Sequence, residues 1–302
     1  MSTATQTPTP PAPVRDPRTS GWAKALLWVG GTIGALAIVW AALDVTSLIA
    51  REKTTGEATY AAAPTVELVA DGRVTVTAGG SDEVHVSREA RFAFVDPHYA
   101  ASASSDRLVV SYQCSWGWVW DCDTDLDVTL PAGTAIVVRT SDGDVRATGV
   151  LGDADLRSSN GRVEASAMGG DLVAHSSNGS VDVRDVTGSV RATSSNGSVV
   201  VRGAASVEAR SSNGRVEVED VQGVVVAESS NGDVQVAEAH DDITATSSNG
   251  SVTVHGTGRP VALDIRTSNG SQRTEAPTDP AAPVHVTIHS SNGSVSYLPP
   301  RS

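Results

Sequence analysis

The stretch that decides the fold is Val190-Arg191-Ala192-Thr193-Ser194-Ser195-Asn196-Gly197-Ser198-Val199-Val200-Val201-Arg202-Gly203-Ala204-Ala205-Ser206. Val190, Ala192 and Ser194 alternate with Arg191 and Thr193. Beyond Asn196-Gly197, Val199 and Val201 alternate with Val200 and Arg202. A period of two on both sides of a turn reads as two short, half-buried strands. The turn returns at Asn160, Asn178, Asn213, Asn231, Asn249, Asn269 and Asn292, each followed by Gly, with Asp142-Gly143 in front. Successive steps are 18, 18, 18, 17, 18, 18, 20 and 23 residues.

A near-constant step with no helical pattern marks a solenoid. A second turn falls about ten residues after each Asn, at Gly152, Gly170, Gly188 and Gly223, with Ser206 and Asp241 as variants. Each unit is thus strand, Asn-Gly corner, strand, second corner. The expected fold is all-β: a parallel β-solenoid with ~18-residue rungs, preceded by one N-terminal transmembrane helix. Asn-Gly is also a strong hairpin signal, but a flat meander has no reason to repeat one tetrad at constant spacing. Nine rungs at the strand spacing of about 4.8 Å make a rod roughly 40 Å long. Glycine is expected at both corners for its left-handed conformation.

By parity the first Ser of each tetrad points inward and the Asn lies at the corner. Asn160, Asn178, Asn196, Asn213, Asn231, Asn249, Asn269 and Asn292 are therefore expected to stack as a structural corner ladder. A row of ligand-binding polar groups is the rival reading, and a motif that stacks needs no ligand to explain it. Asn178, Asn196, Asn249, Asn269 and Asn292 match the glycosylation sequon, as a by-product of the corner chemistry.

Residues 1–20 are Pro- and Thr-rich and read as a disordered cytoplasmic tail. Within 21–46, Ala25 to Leu43 is a 19-residue stretch without a charge, long enough to span a bilayer as a helix. Trp22 and Trp40 suit its two interfaces. A cleaved signal peptide is the alternative. Arg15, Arg18 and Lys24 before the stretch, against Arg51 and Lys53 after it, favour an amino terminus inside. The expected location is the cell membrane, single-pass, with the carboxy-terminal part outside the cytoplasm. Residues 47–62 read as a linker, 63–135 as irregular β rungs or a cap, and 136–302 as the regular solenoid with its carboxy-terminal cap, which Tyr297 suits by its size.

The two cysteines of the chain, Cys114 and Cys122, flank a short Gly-containing loop. Their number and spacing suit a disulfide outside the cytoplasm. A metal site would want more ligands than Asp121 and Asp123. Trp116, Trp118 and Trp120 alternate and share a face. They pack as a cap over the solenoid end, or they form an exposed aromatic patch, a candidate interaction loop for a saccharide, a lipid surface or a partner.

The formal net charge is −13, which argues against nucleic acid as a partner. Arg157, Arg162, Arg184, Arg191, Arg202, Arg210 and Arg215 fall on outward positions and read as a solvated, mixed-charge face. The seven His residues are scattered, and the neighbouring carboxylates Asp153 and Asp155, or Asp241 and Asp242, are read as sitting in corners, where Asp is a turn former. No catalytic residue, metal ligand or cofactor site emerges, and no cofactor is expected.

Leu130-Pro131-Ala132-Gly133-Thr134, then Thr140-Ser141-Asp142-Gly143-Asp144-Val145, then the repeated Ser-Ser-Asn-Gly-x-Val resemble the DUF4097 family of putative adhesins. The paired cysteines just before the first motif resemble its actinobacterial members. The resemblance covers about residues 63–298. It implies a membrane-anchored or cell-surface β-solenoid, in some members associated with envelope-stress systems, with no general catalytic residues to carry over. Partners expected on this reading are the membrane and a cell-wall polymer or an envelope protein. The alternatives are an accessory or sensory ectodomain in envelope-stress signalling and, last, a polysaccharide-active enzyme.

Overall fold

Alternating Val and Ala at two-residue spacing build two sheets that face each other across a thin core. The computed structural model describes residues 29, 30, 32, 33, 38, 40, 52–92, 96–114 and 122–301. The chain divides into two units, 1–50 and 51–302. In the first, the described residues are helical, and Thr32 Oγ1 donates to the Val29 carbonyl at 2.9 Å. The 1–20 tail and most of the expected span, Ala25 to Leu43, lie outside the described residues. Among the described residues no helix is long and apolar enough to cross a membrane.

The second unit holds 25 strands among its described residues, in one sheet of 13 and one of 12. From β8 (Ala135–Thr140) and β9 (Val145–Thr148) to β20 (Ile243–Ser247) and β21 (Val252–His255), even-numbered strands stack in one sheet and odd-numbered strands in the other. All pairings in this stretch are parallel and join like with like: Val190 aligns with Val207, Ala192 with Ala209, Val199 with Val216. The 17-residue step is absorbed at the second corner, because Ser189 still aligns with Ser206.

The core is built of columns. Val145, Val163, Val181, Val199, Val216, Val234 and Val252 form one, all fully buried. Ala174, Ala192, Ala209, Ala227 and Ala245 form another on the opposite sheet, also fully buried. Burying one Val side chain contributes about 1.5–3 kcal/mol, so each rung is weak alone and stable only between neighbours.

A third inward column escapes the alternation. After each odd strand's regular part comes a left-handed residue: Gly149, Ala167, Asp185, Gly203, Asp220 and Glu238, with φ between +53° and +76°. The residue that follows each turns back into the core: Val150, Met168, Val186, Ala204, Val221 and Ala239 are all buried. This bend fills the wedge beside the second corner.

Both ends depart from chain order. At the amino-terminal end, β2 (Thr65–Ala70) and β3 (Val74–Gly79) sit between the β8/β9 rung and the β6 (Arg107–Gln113) and β7 (Asp123–Pro131) rung. At the other end, β24 (His285–Ser290) and β25 (Val295–Leu298) sit between the β20/β21 rung and β22 (Ala262–Thr267) with β23 (Gln272–Thr274). The last rung in sequence is thus second to last in space. Tyr297, expected as a terminal cap, pairs with Val254 on one side and Thr274 on the other and is fully buried. The outermost rung is β22/β23, whose alternation is weak.

The stretch read as a linker, 47–62, contains β1 (Glu52–Ala61), which pairs antiparallel with β4 (Glu83–Phe92), itself antiparallel to β7. Its inward residues, Gly56, Ala58 and Tyr60, are only half-buried, so it has no strong apolar alternation to read. β5 (His98–Ala103) closes the other sheet, antiparallel to β6. The end is covered by tyrosines: Tyr60 Oη and Tyr99 Oη are 2.5 Å apart, Tyr99 meets Tyr112 edge-on at 5.8 Å, and the Arg88 guanidinium lies 3.8 Å over the Tyr99 ring. Trp116, Trp118 and Trp120 lie outside the described residues.

Candidate interaction site

The Ser-Ser-Asn-Gly corner is the feature most repeated in the sequence, and its geometry repeats from rung to rung. In each tetrad the first Ser is buried and makes two bonds. Ser194 Oγ donates to the Gly179 carbonyl of the preceding rung at 2.9 Å and accepts from its own Gly197 amide at 2.9 Å. Thr140 and Thr267 take this place at the ends, donating to the Gly72 and Gly293 carbonyls. A hydroxyl is required here because one atom serves a donor and an acceptor that are otherwise buried.

The Asn side chains run as one ladder. Asn178 Nδ2 donates to Asn160 Oδ1 at 2.7 Å, Asn196 to Asn178 at 2.8 Å, Asn213 to Asn196 at 2.9 Å, Asn231 to Asn213 at 2.8 Å and Asn249 to Asn231 at 2.8 Å. The ladder follows space rather than sequence at its far end: Asn292 donates to Asn249, and Asn269 to Asn292, both at 2.9 Å. At the near end Asn160 donates to Asp142 Oδ1 at 2.6 Å. The amide oxygens are occupied by the next rung, which is what a structural ladder requires.

The corner glycines are not left-handed, contrary to expectation; none of Gly143, Gly161, Gly179 or Gly197 has a positive φ. Glycine is needed for close approach instead. A Cβ on Gly197 would lie 2.1 Å from the Gly179 carbonyl oxygen, and the same clash recurs up the column.

Cys114 and Cys122 are disulfide-bonded, with Cα atoms 6.1 Å apart. They occupy the corner between β6 and β7, where other rungs carry the Asn-Gly tetrad. The bond therefore sits at the head of the ladder. Asp71 joins the two: its Oδ2 accepts the Cys114 amide at 2.7 Å and its Oδ1 accepts the Ser141 hydroxyl at 3.2 Å. Asp71-Gly72 is the ladder's own next corner, since a Cβ on Gly143 would clash with Gly72. In the sequence Asp71-Gly72 follows Val69-Ala70 instead of Ser-Ser, which hides its register.

A shallow trough of about 420 Å³ runs beside the ladder, across several rungs. The second Ser of each tetrad lines it, at Ser195, Ser212, Ser230 and Ser248, together with Arg210 and Glu228. Six of the seven arginines read as a mixed-charge face are paired. Arg157 faces Asp155, Arg162 faces Glu164, Arg184 faces Asp182, Arg191 faces Glu208, Arg202 faces Glu217 and Glu219, and Arg210 faces Glu208 and Glu228. Hydrogen bonds from Arg146, above all, hold the Glu164 carboxyl below its ordinary range. Among the described residues no group of three His, Cys, Asp or Glu side chains is placed to hold a metal ion.

The family model described as Toastrack DUF4097 matches residues 69–297. The chain belongs to the Toastrack DUF4097 family. Among curated proteins none matches it. Three solved structures are similar to this Toastrack chain. A putative adhesin from Bacteroides fragilis is 13% identical, covers 82% of this chain and 97% of its own, and gives a TM-score of 0.38. A putative lipid binding protein from Parabacteroides distasonis is 11% identical over 82% and 97%, with a TM-score of 0.39. A putative cell adhesion protein from Clostridium sporogenes is 11% identical over 82% and 100%, with a TM-score of 0.22. All three scores are too low to align one site with another.

Proposed function

We propose that this Toastrack protein is a membrane-anchored, extracytoplasmic interaction module, adhesin-like and without catalysis. The observation that carries the reading is the Cys114–Cys122 bond. A structural disulfide suits an oxidising compartment, and the uncharged stretch Ala25 to Leu43 supplies a segment long enough to anchor the chain. The bond also joins the two ends of the sequence stretch that carries Trp116, Trp118 and Trp120. Aromatic side chains on a short closed loop suit a saccharide face or an amphipathic protein surface. The stacked rungs are a rigid support, with paired charges on their faces.

The test is a pull-down with the full chain in nanodiscs, disulfide intact, against isolated wall polymer and against detergent-solubilised membrane protein. The expected result is retention on wall polymer, lost when Trp116, Trp118 and Trp120 are changed to Ala. Capture by a membrane protein alone would replace this reading with an accessory ectodomain in envelope signalling. Release of soluble saccharide from the polymer would replace both with an enzyme.

A further inference from the structure

The wedge beside the second corner is filled, rung after rung, by Val150, Met168, Val186, Ala204, Val221 and Ala239. The filling then stops. Register places Gly256 opposite Glu238 and Thr257 opposite Ala239, one step beyond the Ala237–His255 pair. Neither supplies an inward apolar group. The chain instead leaves the rung through 256–261 and again through 275–284, and the wedge opens into a cavity of about 310 Å³.

Its lining is divided. Ala239, Ile243, Val261, Val284 and Val286 give an apolar wall. His240, Thr257, Arg259 and Tyr297 are the polar lining side chains, and no carboxylate is among them. Tyr297 is fully buried, and its hydroxyl has no hydrogen-bond partner. That hydroxyl packs against Gly256, a lining residue of the cavity, because a Cβ there would come 2.4 Å from it. Gly256 is thus the residue that makes room for the phenol. An unsatisfied buried hydroxyl is costly unless something accepts from it. At the equivalent place in the rungs from β9 to β21 the column holds Val or Ala, which carry no such cost.

We infer that this cavity is a binding site for a small amphipathic monocarboxylate, its apolar body against Ile243, Val261 and Val286 and its carboxylate accepting from Tyr297 beside Arg259. A volume near 310 Å³ corresponds to about ten water molecules, hence to a ligand of roughly ten non-hydrogen atoms. Two donors, one of them cationic, with no acid opposite them favour an anion over a neutral or cationic head. Apolar pockets with a few convergent polar groups are the usual form of small-molecule sites. The inference goes beyond the interaction reading above and does not depend on it, since the cavity lies at the opposite end of the ladder from the disulfide.

The test uses the full chain in nanodiscs, labelled with ¹³C at tyrosine, and octanoate as the probe. The chain has four tyrosines, so each ring is a separate reporter. Octanoate is expected to bind with a Kd below about 1 mM and to move one ring signal, the one absent from Tyr297→Phe. Octanoate should bind that variant at least tenfold more weakly, and Val261→Trp, which fills the cavity, should not bind at all. Unchanged hydrogen-exchange protection of the β20, β21, β24 and β25 amides reports that each variant is folded around the cavity. A titration that moves no ring signal beyond the empty-nanodisc control overturns the site. So does binding that survives both substitutions. Octanol binding as tightly as octanoate overturns the assignment of an anionic head.

Discussion

A methyl group on Gly197 has no room, since the Gly179 carbonyl oxygen would be 2.1 Å away. Gly197→Ala must push two rungs apart, and overpacking of this kind costs about 2–3 kcal/mol; a urea melt reads it as a lower midpoint. Asn196→Ala removes the bonds to Asn178 Oδ1 and the Ser177 carbonyl and deprives Asn213 of its acceptor. The expected loss is about 1–2 kcal/mol, with partner retention unchanged. If the variant instead kept its melting temperature and lost a partner, the ladder would be a binding surface. At Glu238 a non-glycine residue sits at φ +53°. Glu238→Gly relieves a strain of about 1 kcal/mol, partly offset by backbone entropy, so the midpoint should rise slightly. Sequence reading finds the Ser and Asn roles because both follow from parity. It misassigns the corner glycines, because close approach and left-handed backbone select the same residue. It does not see the bend at Ala167, Asp185, Asp220 and Glu238, because no glycine marks it. The available signal was an apolar residue three places, rather than two, after the last inward one: Met168 after Ala165, Val186 after Val183.

At the scale of elements, alternation of Val and Ala is enough to place every regular strand. It cannot order the rungs. Because each rung offers the same small inward residues, any rung can stack on any other, and the insertion of β24/β25 beneath β22/β23 leaves its trace only in the 20- and 23-residue steps. β1 was missed for a related reason: an edge strand whose inward residues are Gly56, Ala58 and Tyr60 lacks the apolar contrast that periodicity needs. The disulfide is a property of the β6–β7 corner. It closes a short loop, with a sequence separation of 8. Changing both Cys114 and Cys122 to Ser should cost about 2–3 kcal/mol by chain entropy. Hydrogen exchange should show the loss concentrated in β6, β7 and the Asp71 corner, with the rungs beyond β9 protected as before. Equal loss along the whole rod would mean that the stack melts as one unit.

For the whole strand unit, stability is close to a sum over rungs and their contacts. Its acid side is set by carboxylates such as Glu164, which hydrogen bonds from Arg146 and Arg162 hold below the ordinary value of 4.5. A depressed carboxyl contributes stability above its unfolded pKa and loses it as pH falls through the folded one. Melting temperature is therefore expected to stay level from pH 7 to about 5 and to fall below about 4.5. Glu164→Gln should flatten that fall. Architecture was legible in the repeat at this scale; ligand chemistry was not, because the cavity at Tyr297 is made by what two rungs lack, and a missing side chain leaves no motif.

The crossed order of rungs at the two ends bears on how the rod behaves under mechanical load. In a solenoid stacked in chain order, a pull on the last strand peels one ladder at a time from the free end. Here β25 is hydrogen-bonded on both flanks, to β21 and to β23, and β24 likewise to β20 and β22. A force applied at the carboxy terminus must shear two interfaces together before any strand is released. At the other end β2 and β3 are likewise clasped between neighbours, but β1, which precedes them in the chain, is an edge strand held by β4 alone. Tension at the carboxy terminus thus meets an end that does not unravel strand by strand.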